Sequence, residues 1–326
     1  MVGAPMRILI NGWFWGQSTT GSGQYLHRLV EHLARQQSGA TFTLLTPQGG
    51  ERGLGIGHRD AQSPIPNPQS PIPNLPRPLA KLYWEQIAVP AAARRLGADL
   101  LFVPYWAAPL WQPVPTVVTV HDLIPLLLPL YRGGTLNRLY TRLVSLTAQR
   151  AAAVITVSHA GARDVTTHLR IAPARVFPIH HGPNVATQPR PDSHELAAIR
   201  AKYALPKRYF LYLGGFDVRK NVEGILAAYR RYLEKGGDPV VKLVLAGKLP
   251  GVDTPFFPDP LRMAAALGIS EHLHCAGWVD EADKPLLYAG AVAYLFPSHY
   301  EGFGMMLLEA MAAGCPVITS QSPSAS

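Results

Sequence analysis

Short apolar runs separated by amphipathic stretches recur along most of the chain. In the first half RILIN (7–11), TFTLL (41–45), ADLLFVP (98–104), TVVTV (116–120), AAVITVS (152–158) and RVFPI (175–179) read as buried strands. Between the first two, GQYLHRLVEHLARQ (23–36) places Tyr25, Leu26, Leu29, Val30 and Leu33 on one face, the pattern of an amphipathic helix. Another helix is expected from His159. A second series follows: YFLYLGG (209–215), VKLVLAG (241–247), HLHCAGW (272–278), AYLFPS (293–298) and PVITS (316–320). Helices are expected from Val222 and near 260–267, 281–290 and 303–313. Apolar strands alternating with helices predict parallel sheets covered on both faces. The fold class is therefore α/β, with two doubly wound Rossmann-like lobes facing a cleft. The expected division is 1–185, a linker with a short helix at 186–207, and 208–326. One segment breaks the pattern. SPIPN occurs at 63–67 and again at 70–74, and seven of residues 63–78 are proline. That segment, about 60–78, reads as an inert surface insertion that cannot join a ladder.

A length of 326 residues agrees with two domains. With 48% hydrophobic and 16% charged residues, disorder is excluded. Cys275 and Cys315 form neither a disulfide framework nor a metal-ligand spacing. The longest apolar stretch, 123–131, is too short to span a bilayer and holds Pro125 and Pro129. The N-terminus lacks the apolar core of a signal peptide, so a cytoplasmic location is expected. The net charge of +9 is uneven: residues 1–190 carry +10 and residues 191–326 carry −1. A basic first lobe suggests an acidic partner, such as an anionic membrane face, or else charge that serves only solubility. No Lys/Arg run with interleaved aromatics points to nucleic acid.

Four stretches carry candidate chemistry. In the first, a strand ends at Ser298, the turn Glu301-Gly302-Phe303-Gly304 follows, and a helix carries Glu309. Amides at that helix start can receive phosphate, helped by the helix dipole. At ~1.5 Å rise per residue, Glu301 and Glu309 stay roughly 10 Å apart or more, too far to share a proton. The spacing suits the two ends of an elongated nucleotide-sugar. In the second, Gly214-Gly215-Phe-Asp-Val-Arg219-Lys220-Asn221 follows a strand directly, which favours phosphate binding over an ordinary solvated pair. In the third, His121 and Asp122 end the strand TVVTV. In the fourth, Gly21 and Gly23 lie between the first strand and helix. The third glycine of a dinucleotide fingerprint is missing, and no acid ends the second strand, so a dehydrogenase is excluded.

The Glu301–Glu309 stretch resembles the Glu-x7-Glu signature of glycosyltransferase family 4, retaining enzymes of GT-B fold, here mannosyltransferase-like. The resemblance covers nearly the whole chain apart from the proline-rich insertion. It implies that Glu301 meets hydroxyls of the transferred sugar and that Glu309 meets the ribose. Amides of Gly302, Phe303 and Gly304 would hold diphosphate and sugar, and Arg219 and Lys220 would neutralise the leaving diphosphate. His121 would lie close to the transferred sugar, with Asp122 orienting it or binding acceptor. Gly21 and Gly23 would let backbone approach the donor phosphate and acceptor, and Trp278-Val279 would seat the base against main chain. Met305-Met306 stands where the family often has Leu-Pro, and His181 departs from its Pro-Asn-Gly turn. No Asp-x-Asp occurs, so no metal and no other cofactor is expected.

The implied partners are a nucleoside-diphosphate sugar, of mannose or glucose, and a glycan or lipid-linked acceptor. Peripheral contact with the inner membrane face is a further expectation. Relatives continue beyond the PVITS strand, so the second lobe is expected to be incomplete at its C-terminus. A truncated, non-catalytic nucleotide-binding remnant and another GT-B enzyme, such as a sugar-nucleotide epimerase, are the alternatives.

Overall fold

The computed structural model describes residues 4–18, 20–36, 39–48, 50–54, 73, 75–183 and 191–321. The chain forms two compact units, Met1–Ile179 and His180–Ser326. In the first, seven strands run β1 (Met6–Asn11), β2 (Ala40–Thr46), β3 (Gly50–Leu54), β4 (Leu100–Val103), β5 (Thr116–Val120), β6 (Ala153–Thr156) and β7 (Val176–Pro178). They lie in the order β3-β2-β1-β4-β5-β6-β7. Every pairing is parallel except β2 with β3. In the second unit β8 (Arg208–Leu213), β9 (Val241–Ala246), β10 (Leu273–Gly277), β11 (Ala293–Phe296) and β12 (Val317–Thr319) form a parallel sheet ordered β10-β9-β8-β11-β12. Both sheets are wound outward from an inner strand and then resumed on its other side. The order reverses between β1 and β4, and again between β8 and β11. At such a reversal the loops leaving two neighbouring strands diverge to opposite faces and leave a crevice.

The expected strands all form, because runs such as Leu9-Ile10 and Leu243–Ala246 are buried on both faces of their sheets. The helices Gly21–Arg35, His159–His168, Val222–Glu234, Pro260–Ala266, Lys284–Gly290 and Met305–Ala312 also stand where periodicity placed them. The chain divides at Ile179/His180, ahead of the expected boundary at 185. Much of the stretch expected as linker, 186–207, is a structured part of the second unit. Its helix Ser193–Lys202 opens with a capping box between Asp192 and Glu195, and Ile199 and Leu205 join the second unit's core. Of the proline-rich insertion, 60–72 and 74 lie outside the described residues. From Arg77 the chain is already helical, with Pro78 in the first turn, where a missing N–H costs nothing.

The elements not anticipated include three that shape the first unit. The edge strand β3, GERGL, has no apolar alternation; its Glu51 pairs with Arg95. The helix Thr135–Gln149 buries only Val144, Thr147 and Ala148. Helical residues 77–95 contain a π-turn at Trp84–Ala88, where Val89 N–H reaches back five residues to Trp84 O, just before Pro90. This turn buries Glu85 completely. Tyr140 Oη donates to Glu85 Oε2 at 2.9 Å, and Lys81 Nζ lies 3.1 Å from Oε1. Burial raises the Glu85 pKa above its ordinary value, and Lys81 and Tyr140 only partly oppose it. Beside it, Trp84 Nε1 donates to Asn11 Oδ1 at 2.8 Å, and Asn11 Nδ2 to Tyr105 Oη at 2.9 Å. The carboxyl ends of β1 and β4 are thus tied together under the first unit's crevice.

Gly21 and Gly23 are not in a loop: both belong to the first turn of Gly21–Arg35. Thr20 caps that helix, its Oγ1 accepting from Gly23 N at 3.1 Å. A Cβ at Gly23 would stand 1.9 Å from Gln17 O, whereas one at Gly21 would meet nothing within 4 Å. Gly23 is glycine because the incoming chain crosses the helix there. Gly21→Ala is expected to melt at or slightly above the parent temperature. Gly23→Ala should lose about 1–3 kcal/mol by forcing the two segments apart. Denaturant unfolding of both variants checks this; equal midpoints would contradict it.

Candidate functional site

The second unit's reversal point gathers the charged residues. After β8 the chain turns through Gly214-Gly215, makes a single 3-10 turn at Val218–Lys220, and enters the helix Val222–Glu234. Asn221 joins the two in the left-handed region, φ 55°. Its Oδ1 accepts from Gly224 N at 3.2 Å, capping the helix, while its Nδ2 donates to Pro297 O at 3.0 Å. Pro297 begins the loop after β11, so one side chain links the two loops that flank the crevice. His299 N to Arg219 O, 2.8 Å, and Arg219 Nη1 to Tyr300 O, 2.9 Å, complete the link.

These bonds place Glu301 between two cations. Arg219 Nη1 is 2.6 Å from Glu301 Oε2 and Lys220 Nζ is 2.7 Å from Oε1. Asp217 lies 3.4 Å from Arg219 Nε. All four side chains are largely buried, at 12–15% exposure. Burial alone would raise the Glu301 pKa. Lys220 and Arg219 together outweigh it, and the carboxyl sits below its ordinary value of 4.5. Glu301, Arg219 and Lys220 therefore form one charged cluster at the carboxyl ends of β8 and β11.

Gly302, Phe303 and Gly304 lead from this cluster into the helix Met305–Ala312. Gly304 has φ 92° and no side chain caps the helix. Phe303 stacks edge-on with His181 at 5.1 Å and lies 5.9 Å from His180. Met306, at the Leu-Pro position of the family pattern, receives Tyr294 Oη on its sulfur at 3.5 Å. Glu309 is buried at 7% exposure, and Tyr288 Oη donates to its Oε2 at 3.4 Å. Burial, and then Glu309, raise the Tyr288 pKa, so the phenol stays a donor. Trp278 is 70% exposed, not a core residue. Val279 packs its side chain into the second unit's core.

In the first unit, His121 follows β5. Its Nε2 is 3.1 Å from Pro104 O, the residue after β4, and its ring meets Tyr25 edge-on at 4.8 Å. Burial lowers its pKa below 6.5, opposed in part by the Pro104 carbonyl and Asp122, so the ring is neutral at pH 7. Asp122 Oδ1 accepts from Ile124 N at 3.0 Å, opening the short turn that follows. Tyr25 belongs to the same helix as Gly21 and Gly23 and comes within 3.4 Å of Thr119 through its hydroxyl.

Asn221, Asp217 and Tyr288 were not singled out in the sequence. Asn221 and Asp217 flank the Arg219-Lys220 pair within the quoted motif, so position alone could have flagged them. Nothing local in the sequence marks Tyr288, which reaches Glu309 from a different helix.

Two family models match the chain: Glycosyltransferase Family 4 over residues 19–187 and Glycosyl transferases group 1 over residues 197–326. The O-antigen chain mannosyltransferase B of Escherichia coli is 30% identical over 206 residues, 63% of this chain and 52% of that protein. A serotype-specific mannosyltransferase of Escherichia coli, WbdA, is 31% identical over 218 residues, 64% of this chain and 25% of that protein. The chain thus spans about half the length of the first relative and a quarter of the second. HepE of Anabaena, solved with UDP and glucose, aligns at TM-score 0.66 and 17% identity, over 97% of this chain and 81% of that one. Sucrose-phosphate synthase of Thermosynechococcus elongatus aligns at TM-score 0.62 and 20% identity, over 97% and 82%. These likenesses show a GT-B fold of two Rossmann-like α/β lobes. With one family model covering more than half of the chain and the other most of the second unit, the chain belongs to glycosyltransferase family 4.

Proposed function

We propose that the protein transfers a hexose, with retention, from a nucleoside-diphosphate sugar to a glycan or lipid-linked acceptor. The observation that carries the reading is the convergence of Arg219, Lys220 and Glu301 at the reversal point of the second sheet. Arg219 offers a planar fork and Lys220 a point charge, and together they supply the positive charge that a departing diphosphate requires. The uncapped start of Met305–Ala312 adds amide donors and the helix dipole. With that charge supplied by side chains, the reaction needs no metal. Glu301, held ionised, would move its hydrogen bonding from the two cations to sugar hydroxyls when donor enters. Glu309 would take the ribose, and the main chain at Trp278-Val279 the base.

In the reaction the anomeric carbon–oxygen bond to the diphosphate breaks as the acceptor oxygen bonds the same face of that carbon. The acceptor proton passes to the leaving diphosphate, so no enzymatic nucleophile is used. His121, neutral at pH 7, would contact the transferred sugar from the first lobe, and Asp122 the acceptor side. Mannose as the transferred sugar is supported by the mannosyltransferases among the relatives. A cytoplasmic location at the inner membrane face accords with such acceptors. Among the described residues no helix is long and apolar enough to cross a membrane.

Arg219→Ala or Lys220→Ala is expected to lower kcat by about 10²–10³, the effect of removing one donor to a developing oxyanion. Glu301→Ala should lower turnover at least as far. Single-turnover assays with GDP-mannose and UDP-glucose measure this; near-normal turnover in all three variants would overturn the assignment. Thermal-shift measurements with UDP, GDP and ADP name the base. A ligand at a hundredfold over its Kd adds roughly 2.7 kcal/mol, a shift of a few degrees. A shift with one nucleotide only is expected, and none with any would favour the non-catalytic remnant.

The ion cluster also sets a pH dependence. Because the folded pKa of Glu301 is depressed, its contribution is fully present above pH 4.5 and is lost as pH falls through the folded value. The stability difference between the parent and Glu301→Gln should therefore be constant at pH 6–8 and change only below about pH 4.5. Urea unfolding across that range tests it.

A further inference from the structure

Among the described residues, the first unit presents an apolar face that packing leaves exposed. On the helix Thr135–Gln149, Leu136, Leu139, Leu143 and Leu146 recur at helical spacing and form one stripe. Leu136 is 81% exposed, Leu139 63% and Leu146 48%. Leu143 lines a groove of about 800 Å³ together with Leu79, Ile87, Leu110 and Trp111, the last four of them exposed. An apolar area of this extent on a folded unit marks an interaction surface. The charge on the segment that carries the stripe has one sign. Residues 123–163 contain five arginines and no Asp or Glu, and Arg132, Arg138, Arg142 and Arg150 are exposed.

We propose that this face docks on an anionic lipid surface. The leucine stripe and Trp111 would enter the boundary between headgroups and acyl chains, and the arginines would pair with lipid phosphates. The charge pattern favours this occupant over a second copy of the chain. A two-fold contact through the stripe would bring two arginine-rich faces together with no carboxylate from 123–163 to compensate them. An anionic bilayer supplies apolar depth and negative charge together. The stripe is remote in sequence from the Arg219–Glu301 cluster, and docking through it does not depend on the transfer reaction.

Vesicle co-sedimentation of the full chain tests it. Vesicles of phosphatidylcholine alone are compared with vesicles containing phosphatidylglycerol, at low and high salt. The parent protein should partition onto the anionic vesicles and be weakened by salt. Each basic group near such a surface strengthens partition about fivefold, so Arg132→Gln/Arg138→Gln/Arg142→Gln should lose about a hundredfold. Leu136→Ser/Leu139→Ser should lose roughly tenfold or more even at low salt. Because these side chains are exposed, both variants should melt with the parent. Failure of the parent to partition, or parent-like partition of the leucine variant, would overturn the proposal. So would a parent dimer in sedimentation velocity that Leu139→Ser dissociates, since a second copy would then cover the face.

Discussion

Glu301 is held by Arg219 and Lys220 within hydrogen-bond distance of both carboxylate oxygens, in a place where water reaches little of any of the three. Three charges so buried are tolerable only because each is paired. The pairing in turn requires the loops after β8 and β11 to approach one another. The sheet makes that approach possible, because its strand order reverses between those two strands. Asn221 makes it definite: in one unusual backbone conformation it caps a helix with its oxygen and holds the opposite loop with its nitrogen. The site is therefore a consequence of topology, with a few hydrogen bonds selecting one arrangement of the loops.

The first unit uses the same topology with other chemistry. At its reversal point Asn11 and Tyr105 are hydrogen-bonded to each other, and Trp84 joins them. Next to this group Glu85 is buried with Lys81 and Tyr140. The π-turn just before Pro90 belongs to the helical stretch that supplies both Trp84 and Glu85. Where the second unit keeps its charges at the mouth of the crevice, the first keeps its buried carboxylate beneath it. His121 stands at the end of the neighbouring strand, neutral and packed on Tyr25.

Much of this was legible along the chain. Strands such as LLFV (100–103) are apolar throughout because both faces are covered, and that requirement acts on every residue locally. The glycine turns and the pair Arg219-Lys220 stand out because they follow such strands at once. Harder to read were elements whose reasons lie elsewhere in space. β3 is a strand because β2 offers an edge, not because GERGL favours one. Gly23 looked like part of a phosphate loop, yet its missing Cβ makes room for the Gln17 carbonyl. Trp278 and Val279 are adjacent and similarly apolar, but one points to solvent and the other into the core.

The sequence by itself determined the alternation of strand and helix, the two-lobed α/β class and the placing of Arg219, Lys220 and Glu301 just after strands. Each of these rests on local periodicity or on residue chemistry at a strand's end. Only the tertiary structure decided that Glu301 sits between Arg219 and Lys220, that Tyr288 reaches Glu309, and that Glu85 is buried. Those contacts join residues separated by tens of positions, brought together by strand order and helix packing. It also decided that the leucines of Thr135–Gln149 face outward. A helical stripe shows which residues share a face, but whether that face meets a sheet or the solvent depends on what the rest of the chain has already covered.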